Sequence, residues 1–311
     1  MPPPDSPAVR ATPVARDTYR EGLAAALAAF FIWGLLPLYL RPLNVVPPVE
    51  IMANRIVWAF VVVFAWLAWR GDLGSVRNAL RDRPVRLLLV ASSLLISINW
   101  LTYLWAVANG HVLDASLGYF MNPLLNVALG VLLLSERLNR AQWTAVAIAG
   151  LGVVYFTIAT GKPPWIALVL AASFGLYGLI RKTVKVEAVP GLAIETLMLV
   201  PFAVAFLAWS ESRGIAALGH SSFGVNLLLL GTGVVTAVPL ALFAHGSRLI
   251  PLSTVGLVQY VGPSIQFLVG VFVFHESFTP SRAVSFGCIW LALAIYMIDG
   301  VRRNRAALAL R

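Results

Sequence analysis

The chain has 311 residues, 59% of them hydrophobic and 12% charged, with a mean hydropathy of +0.84. A soluble domain carries roughly 25% charged residues, so this composition excludes an ordinary water-soluble fold and predicts a chain whose solvent is mostly lipid. The net charge of +10 is not a nucleic-acid footprint, because its basic residues sit in loops between apolar runs, where they would face an anionic leaflet.

Residues 1–20 are rich in proline and polar groups and read as a disordered cytoplasmic tail. The apolar run that follows holds Trp33, Pro37 and Tyr39 and precedes many similar runs. It reads as a retained first span, too long for a cleaved leader. Ten runs are long enough to cross a bilayer as helices, at about 20 residues each. They are placed near residues 22–40, 50–69, 86–108, 114–134, 141–159, 164–180, 190–209, 223–246, 251–274 and 281–299. The connectors are short and carry Pro, Gly, Asn or charge, as in Asn109-Gly110-His111.

Loop charges set the orientation. With the N-terminus inside, the cytoplasmic segments hold eighteen Lys and Arg residues, and the outer segments hold four: Arg41, Lys162, Arg213 and Arg282. Adding or dropping one span would swap every later loop and spoil that asymmetry. Both termini are therefore expected in the cytoplasm, with the chain in the cell inner membrane.

The stretch from Ala115 to Gly150 recurs from Val255 to Trp290, at an offset of 140 residues. Pro123 falls on Pro263, Glu136 on Glu276, Tyr119 on Gln259, Phe120 on Tyr260, and Asn126 on Gln266. An apolar run, a proline and a terminal acid kept together argue for a duplicated half. Five spans per half is odd, so the second half must lie upside down relative to the first. Inverted repeats of this kind place a binding site near the midplane, where the halves meet. The expected organisation is a tail over 1–20, one five-helix repeat over 21–160, a second over 161–300, and a basic cytoplasmic tail over 301–311.

Specific stretches carry a further signal. These are Trp33-Gly34 with Pro37, Glu50 with Asn54-Arg55, Asn99-Trp100 through Val107, and Ser116-Leu117-Gly118-Tyr119-Phe120 with Asn122-Pro123. Others are Glu136-Arg137-Leu138, Tyr177-Gly178-Leu179 with Arg181-Lys182, Glu195-Thr196-Leu197, Gln259-Tyr260 with Gly262-Pro263, and Trp290 through Ala294 with Asp299. With them the chain resembles the drug/metabolite transporter superfamily with its EamA-type halves, and more closely its RarD branch. The resemblance covers roughly residues 20–300. It implies a ten-helix permease for small metabolites or drugs. One departure is His275 before Glu276, where that family more often has Gly; little effect on the site is expected.

Inside the spans, two charges lie well away from a predicted end, Arg55 and Glu195, and they match at the offset of 140. An ionised group there needs a cavity or a partner. Each lies about 7–8 Å deep, from opposite faces, which leaves them on the order of 15 Å apart in depth. A direct bridge is not expected. The alternative for Arg55 is snorkelling to outer headgroups. The alternative for Glu195 is a structural hydrogen bond or a loop cation such as Lys185. Glu195 is also the candidate for proton coupling, since membrane-embedded acids without a fixed partner serve as proton relays.

Polar stripes outline a cavity. Tyr119, Asn122, Pro123 and Asn126 share one helix face, and Gln259, Pro263 and Gln266 would share another. The third span adds Ser92, Asn99, Trp100 and Tyr103, and the eighth adds Thr232, Thr236 and Pro239. The expected substrate cavity is Arg55, Asn99, Trp100, Tyr103, Tyr119, Asn122, Glu195, Gln259 and Tyr260. Trp33, Tyr177, Pro123 and Pro263 are the gating candidates, because aromatics seal pathways and prolines let a helix bend. The rival reading is helix–helix bonding by Asn and Gln, typically under 2 kcal/mol each.

Glu136 and Glu276 are expected on opposite sides of the membrane, in helix-end roles. His111, His220, His245 and His275 lack metal-ligand spacing. Cys288 reads as a packing residue. No phosphate-binding loop points to ATP, and no metal or cofactor is expected. The function predicted is proton-coupled secondary transport by alternating access, with a small molecule and the bilayer as partners. No nucleic-acid partner is expected, and a homodimer is left open. The alternatives are an intramembrane lipid-modifying enzyme and a membrane scaffold. No acid–base pair on one side of the membrane favours the enzyme.

Overall fold

The structure, a computed structural model, describes residues 13–134, 139–250 and 252–309. Its helices are α1 (Pro13–Leu40), α2 (Pro48–Trp69), α3 (Leu73–Arg81), α4 (Arg83–Ala108), α5 (Val112–Leu134) and α6 (Arg140–Thr160). They continue as α7 (Trp165–Thr183), α8 (Ala188–Ser212), α9 (Phe223–Leu249), α10 (Leu252–Val258), α11 (Val261–Phe272) and α12 (Pro280–Ala309). No strand occurs among the described residues. Seven helices among those residues are long and apolar enough to cross a membrane, and the apolar helices Trp165–Arg181 and Val261–Phe272 are shorter. The outer surface agrees: Phe202 is 76% and Ile158 77% exposed. So much apolar surface suits a hydrocarbon solvent, so this is a multi-pass helical membrane protein.

Local sequence explains the helix ends. Pro48 opens α2, where a missing N–H costs nothing, and Glu50 in that turn complements the helix dipole. Asp82 caps α4 by accepting from the Val85 N–H. Asn139 and Gln142 cap α6 reciprocally. Gly161, at φ 71°, closes the same helix in the left-handed conformation.

The elements depart from expectation in three places. First, α1 begins at Pro13 and α12 runs to Ala309, so helix enters both segments expected to be tails. Their Arg and Ala residues propagate a helix already nucleated by the spans. Second, the loop after α2 contains α3, whose Val76 and Ala79 are buried. Nine residues with an apolar stripe are too short for a hydropathy window and lie against α8 and α4. Third, the ninth span is broken into α10 and α11 at Gln259 and Tyr260. Pro263 has no N–H to close the turn on Gln259, whereas Pro123 sits inside an unbroken α5.

Helix pairing is dense around α2. It packs against α8 and α9, α8 packs against α4, and α4 against α7. Further pairs are α1 with α9 and α11, α5 with α7 and α11, and α6 with α12. Close approach needs small residues at two of these crossings. A Cβ on Gly233 of α9 would lie 2.4 Å from the Trp58 backbone of α2. A Cβ on Gly152 of α6 would lie 2.7 Å from Cβ of Cys288, which gives that cysteine the packing place expected of it.

The turn after α11 ties the molecule together. His275 has φ 52°, the left-handed region that favours glycine, so the family's more usual Gly has a backbone reason. The turn directs the Glu276 carboxylate onto the first N–H groups of α5, at 2.5 Å from Val112 and 3.0 Å from Leu113. Burial raises the Glu276 carboxyl above its usual range, opposed by those two N–H bonds and by Arg282. Arg282 also pairs with Asp114 at 3.1 Å. Glu136 lies outside the described residues.

Candidate functional site

Two buried charged clusters stand on different helices. The first is built on α2. Arg55 is 6% exposed, so it does not snorkel to the headgroups. Its Nε donates to Thr236 Oγ1 on α9 at 2.9 Å. Its guanidinium lies over the Trp100 ring of α4, 4.3 Å from the centroid. Such a desolvated cation–π contact is worth about 2 kcal/mol. Among the described residues no carboxylate pairs with Arg55, and its two terminal nitrogens make no hydrogen bond.

The tyrosines extend this cluster. The Tyr103 and Tyr119 rings are 5.9 Å apart. Tyr119 donates to Asn99 Oδ1 at 3.2 Å. Asn99 Nδ2 in turn donates to the Leu170 carbonyl and to Ser173 Oγ on α7, both at 3.1 Å. The Tyr103 hydroxyl is buried and has no partner among the described residues. Tyr39 donates to the Leu228 carbonyl of α9 at 2.5 Å. Nearby, Glu50 is buried and accepts from the Ala217 N–H, which ties the start of α2 to the loop before α9.

The second cluster surrounds Glu195 of α8, 1% exposed. Ser92 of α4 donates to Glu195 Oε1 at 2.7 Å. Tyr177 of α7 donates to Oε2 at 3.3 Å. Arg181 Nε lies 4.0 Å from Oε1. Lys185, the cation suggested by the sequence, is exposed. Tyr177 therefore serves the acid directly, and Glu195 has a fixed cation, contrary to the reading of an acid without one. Arg181 also donates to the carbonyls of Glu187 and Ala188, bridging the α7–α8 connection. Gly191 makes room for it, since a Cβ there would collide with the guanidinium.

An aromatic ladder joins the two clusters. Tyr119 meets Phe174 edge-on at 6.1 Å, and Phe174 meets Tyr177 at 6.0 Å. So the structure brings Arg55, Asn99, Trp100, Tyr103 and Tyr119 together, with Glu195 and Tyr177 at the far end of the ladder.

Other predicted residues lie elsewhere. Asn122 is buried with Oδ1 unpartnered. Gln259 sits in the break between α10 and α11. Tyr260 stacks on Phe120 at 6.3 Å and lines an apolar groove of about 560 Å³ with Phe267, Trp290 and Met297. Trp33 packs on Phe30 and Phe243, and its carbonyl accepts from Gln266 Nε2. The Pro263 carbonyl accepts from Ser116 at 2.9 Å. The side chain of Asn126 lies outside the described residues. Tyr39 and Arg181 were missed as site residues. Tyr177 and Arg181 stand four apart on one helix face, but that spacing alone does not name the acid on the next helix.

A buried cation and a buried acid held on separate helices of a multi-pass bundle describe a membrane transporter. The EamA-like transporter family matches residues 20–158. An uncharacterized transporter of Vibrio cholerae is 42% identical over 300 residues, covering 95% of this chain and 98% of the relative. Protein RarD of Streptomyces exfoliatus is 44% identical over 95% of this chain and 94% of its own. One solved crystal structure has a TM-score of 0.57 at 19% identity, covering 90% of this chain and 98% of that one, which shows a shared fold. The chain belongs to the EamA-like transporter family, on its RarD-like branch. The names of these relatives point to transport and away from enzymatic chemistry.

Proposed function

We propose that the protein is a secondary transporter of small metabolites or drugs across the inner membrane, working by alternating access between two inverted five-span halves. On this reading α10 and α11 form one discontinuous span, α3 lies along the inner surface, and both termini are cytoplasmic. The observation that carries it is the helix pairing. Exchange the first five spans for the last five, and the pairs α1–α9, α1–α11 and α2–α9 become α7–α4, α7–α5 and α8–α4. The pairs α2–α8, α5–α11 and α6–α12 map onto themselves. A pattern that survives the exchange is what a duplicated, inverted fold would give.

The mechanism follows from the two clusters. Arg55 binds substrate in one half of the membrane. Glu195 carries the coupling proton in the other. With the acid ionised, Arg181 holds α7 to α8 through it and through the carbonyls of Glu187 and Ala188. A proton on Glu195 removes the charge that holds Arg181, so the inner end of the pair can part. The proton gradient then biases which face opens.

Sealed proteoliposomes test this. A pH gradient should drive flux by the wild type. Glu195→Gln, which keeps the size but not the titration, should abolish gradient-driven flux while leaving insertion intact. Undiminished, equally pH-dependent flux in that variant would remove Glu195 from the mechanism.

A further inference from the structure

The transport reading leaves the substrate open, and the surroundings of Arg55 narrow it. An unpaired cation in a membrane span is costly, and among the described residues no carboxylate meets it. Nε is used by Thr236 and one face of the guanidinium by Trp100. These contacts fix the plane of the group and leave its two terminal nitrogens as a paired donor. That fork matches the two oxygens of a carboxylate. The same cluster holds the Tyr103 hydroxyl, whose ring lies 5.9 Å from that of Tyr119, buried and without a partner among the described residues. It is a third donor, and such a buried group calls for a bond that the described residues do not supply.

We infer that Arg55 and Tyr103 hold the carboxylate of an organic monoanion whose apolar or aromatic body lies against Tyr119 and Phe174. This rests on the transport reading for its role but not for its chemistry. The charge count selects the class. One unpaired guanidinium neutralises one negative charge, so a phosphate dianion would bring an unmatched charge into a low-dielectric span. A neutral ligand would leave Arg55 uncompensated. Phe174 is 39% exposed although it touches Tyr119, so it offers ring surface at the edge of the tyrosine cluster.

The test uses the purified full chain in detergent and three probes of one shape: 3-phenylpropionate, 3-phenylpropionamide and 2-phenylethyl phosphate. Binding is read by calorimetry and by the shift of the thermal transition. The carboxylate should bind saturably, and the amide and the phosphate ester at least about tenfold more weakly. Arg55→Gln should lose the carboxylate's advantage. Tyr103→Phe removes a hydroxyl that bonds nothing among the described residues. It should keep the melting behaviour of the free protein and weaken carboxylate binding about tenfold. The inference is overturned if amide or phosphate binds as well as the carboxylate, if Tyr103→Phe binds it unchanged, or if none of the three binds. Vesicle flux separates it from the transport reading. A carboxylate that binds but is never carried sinks transport alone. A neutral solute that is carried while no carboxylate binds sinks this inference alone.

Discussion

Arg55 and Glu195 stand 140 residues apart in the sequence and are almost equally buried, yet they are treated in opposite ways. Glu195 meets a hydroxyl from Ser92, a phenol from Tyr177 and a cation from Arg181. Arg55 meets one hydroxyl and an aromatic face, and among the described residues no acid. Burial alone therefore does not mark a binding group. What separates the two is whether the protein itself completes the charge. A completed charge can hold two helices together until a proton or a competing group breaks it. An uncompleted one waits for a ligand.

The largest expected effect breaks this comparison at its root. Arg55→Gln should reduce flux of a carboxylate by about a hundredfold or more, the loss of a paired charge-assisted contact at both nitrogens. Glu195→Gln should leave equilibrium binding of the same carboxylate within about threefold, a difference under 1 kcal/mol, while abolishing pH-driven transport. Calorimetry beside vesicle flux measures both. If the two variants lose binding equally, the division between a ligand charge and a coupling charge fails.

Next in size is the removal of one partner from the completed cluster. Arg181→Gln leaves Glu195 buried with two hydroxyl donors and no cation. The expected loss of stability is on the order of 3 kcal/mol, at the low end for a broken buried pair because the separation is already 4.0 Å. The double variant Arg181→Gln with Glu195→Gln should recover most of it, since no charge then remains unpaired. Denaturation in mild detergent, run as a double-mutant cycle, checks the coupling. Equal losses in the single and double variants would show that Arg181 acts through the Glu187 and Ala188 carbonyls alone.

Much of this was legible in the residues. Hydropathy marked a multi-pass helical membrane protein, because length and polarity are enough where the solvent is lipid. Charge within a span singled out Arg55 and Glu195, because an ion there must be accounted for. Three things were not legible. Arg181 was counted as a loop charge, since no local pattern says that a long side chain at a helix end folds back to an acid on the next helix. The break at Gln259 and Tyr260 was hidden because the ninth apolar run reads as one continuous span. The short α3 escaped because its signal is amphipathic, not hydropathic.

The smallest effect is the finest discriminator, because it deletes the same atom from the two clusters. Tyr177→Phe removes a phenol that donates to Glu195 at 3.3 Å. It should destabilise the fold by about 1 kcal/mol, since a carboxylate loses one of its few donors and water cannot readily replace it. Tyr103→Phe removes a phenol that donates to nothing among the described residues. It should leave stability unchanged or raise it slightly, because an unsatisfied buried hydroxyl is itself a cost. Thermal unfolding of the two variants side by side reads the sign directly. A loss at Tyr103 as large as that at Tyr177 would mean that the hydroxyl beside Arg55 is already bonded when no ligand is present. The contrast between a completed and an uncompleted charge would then collapse to a difference in which partner is easier to see.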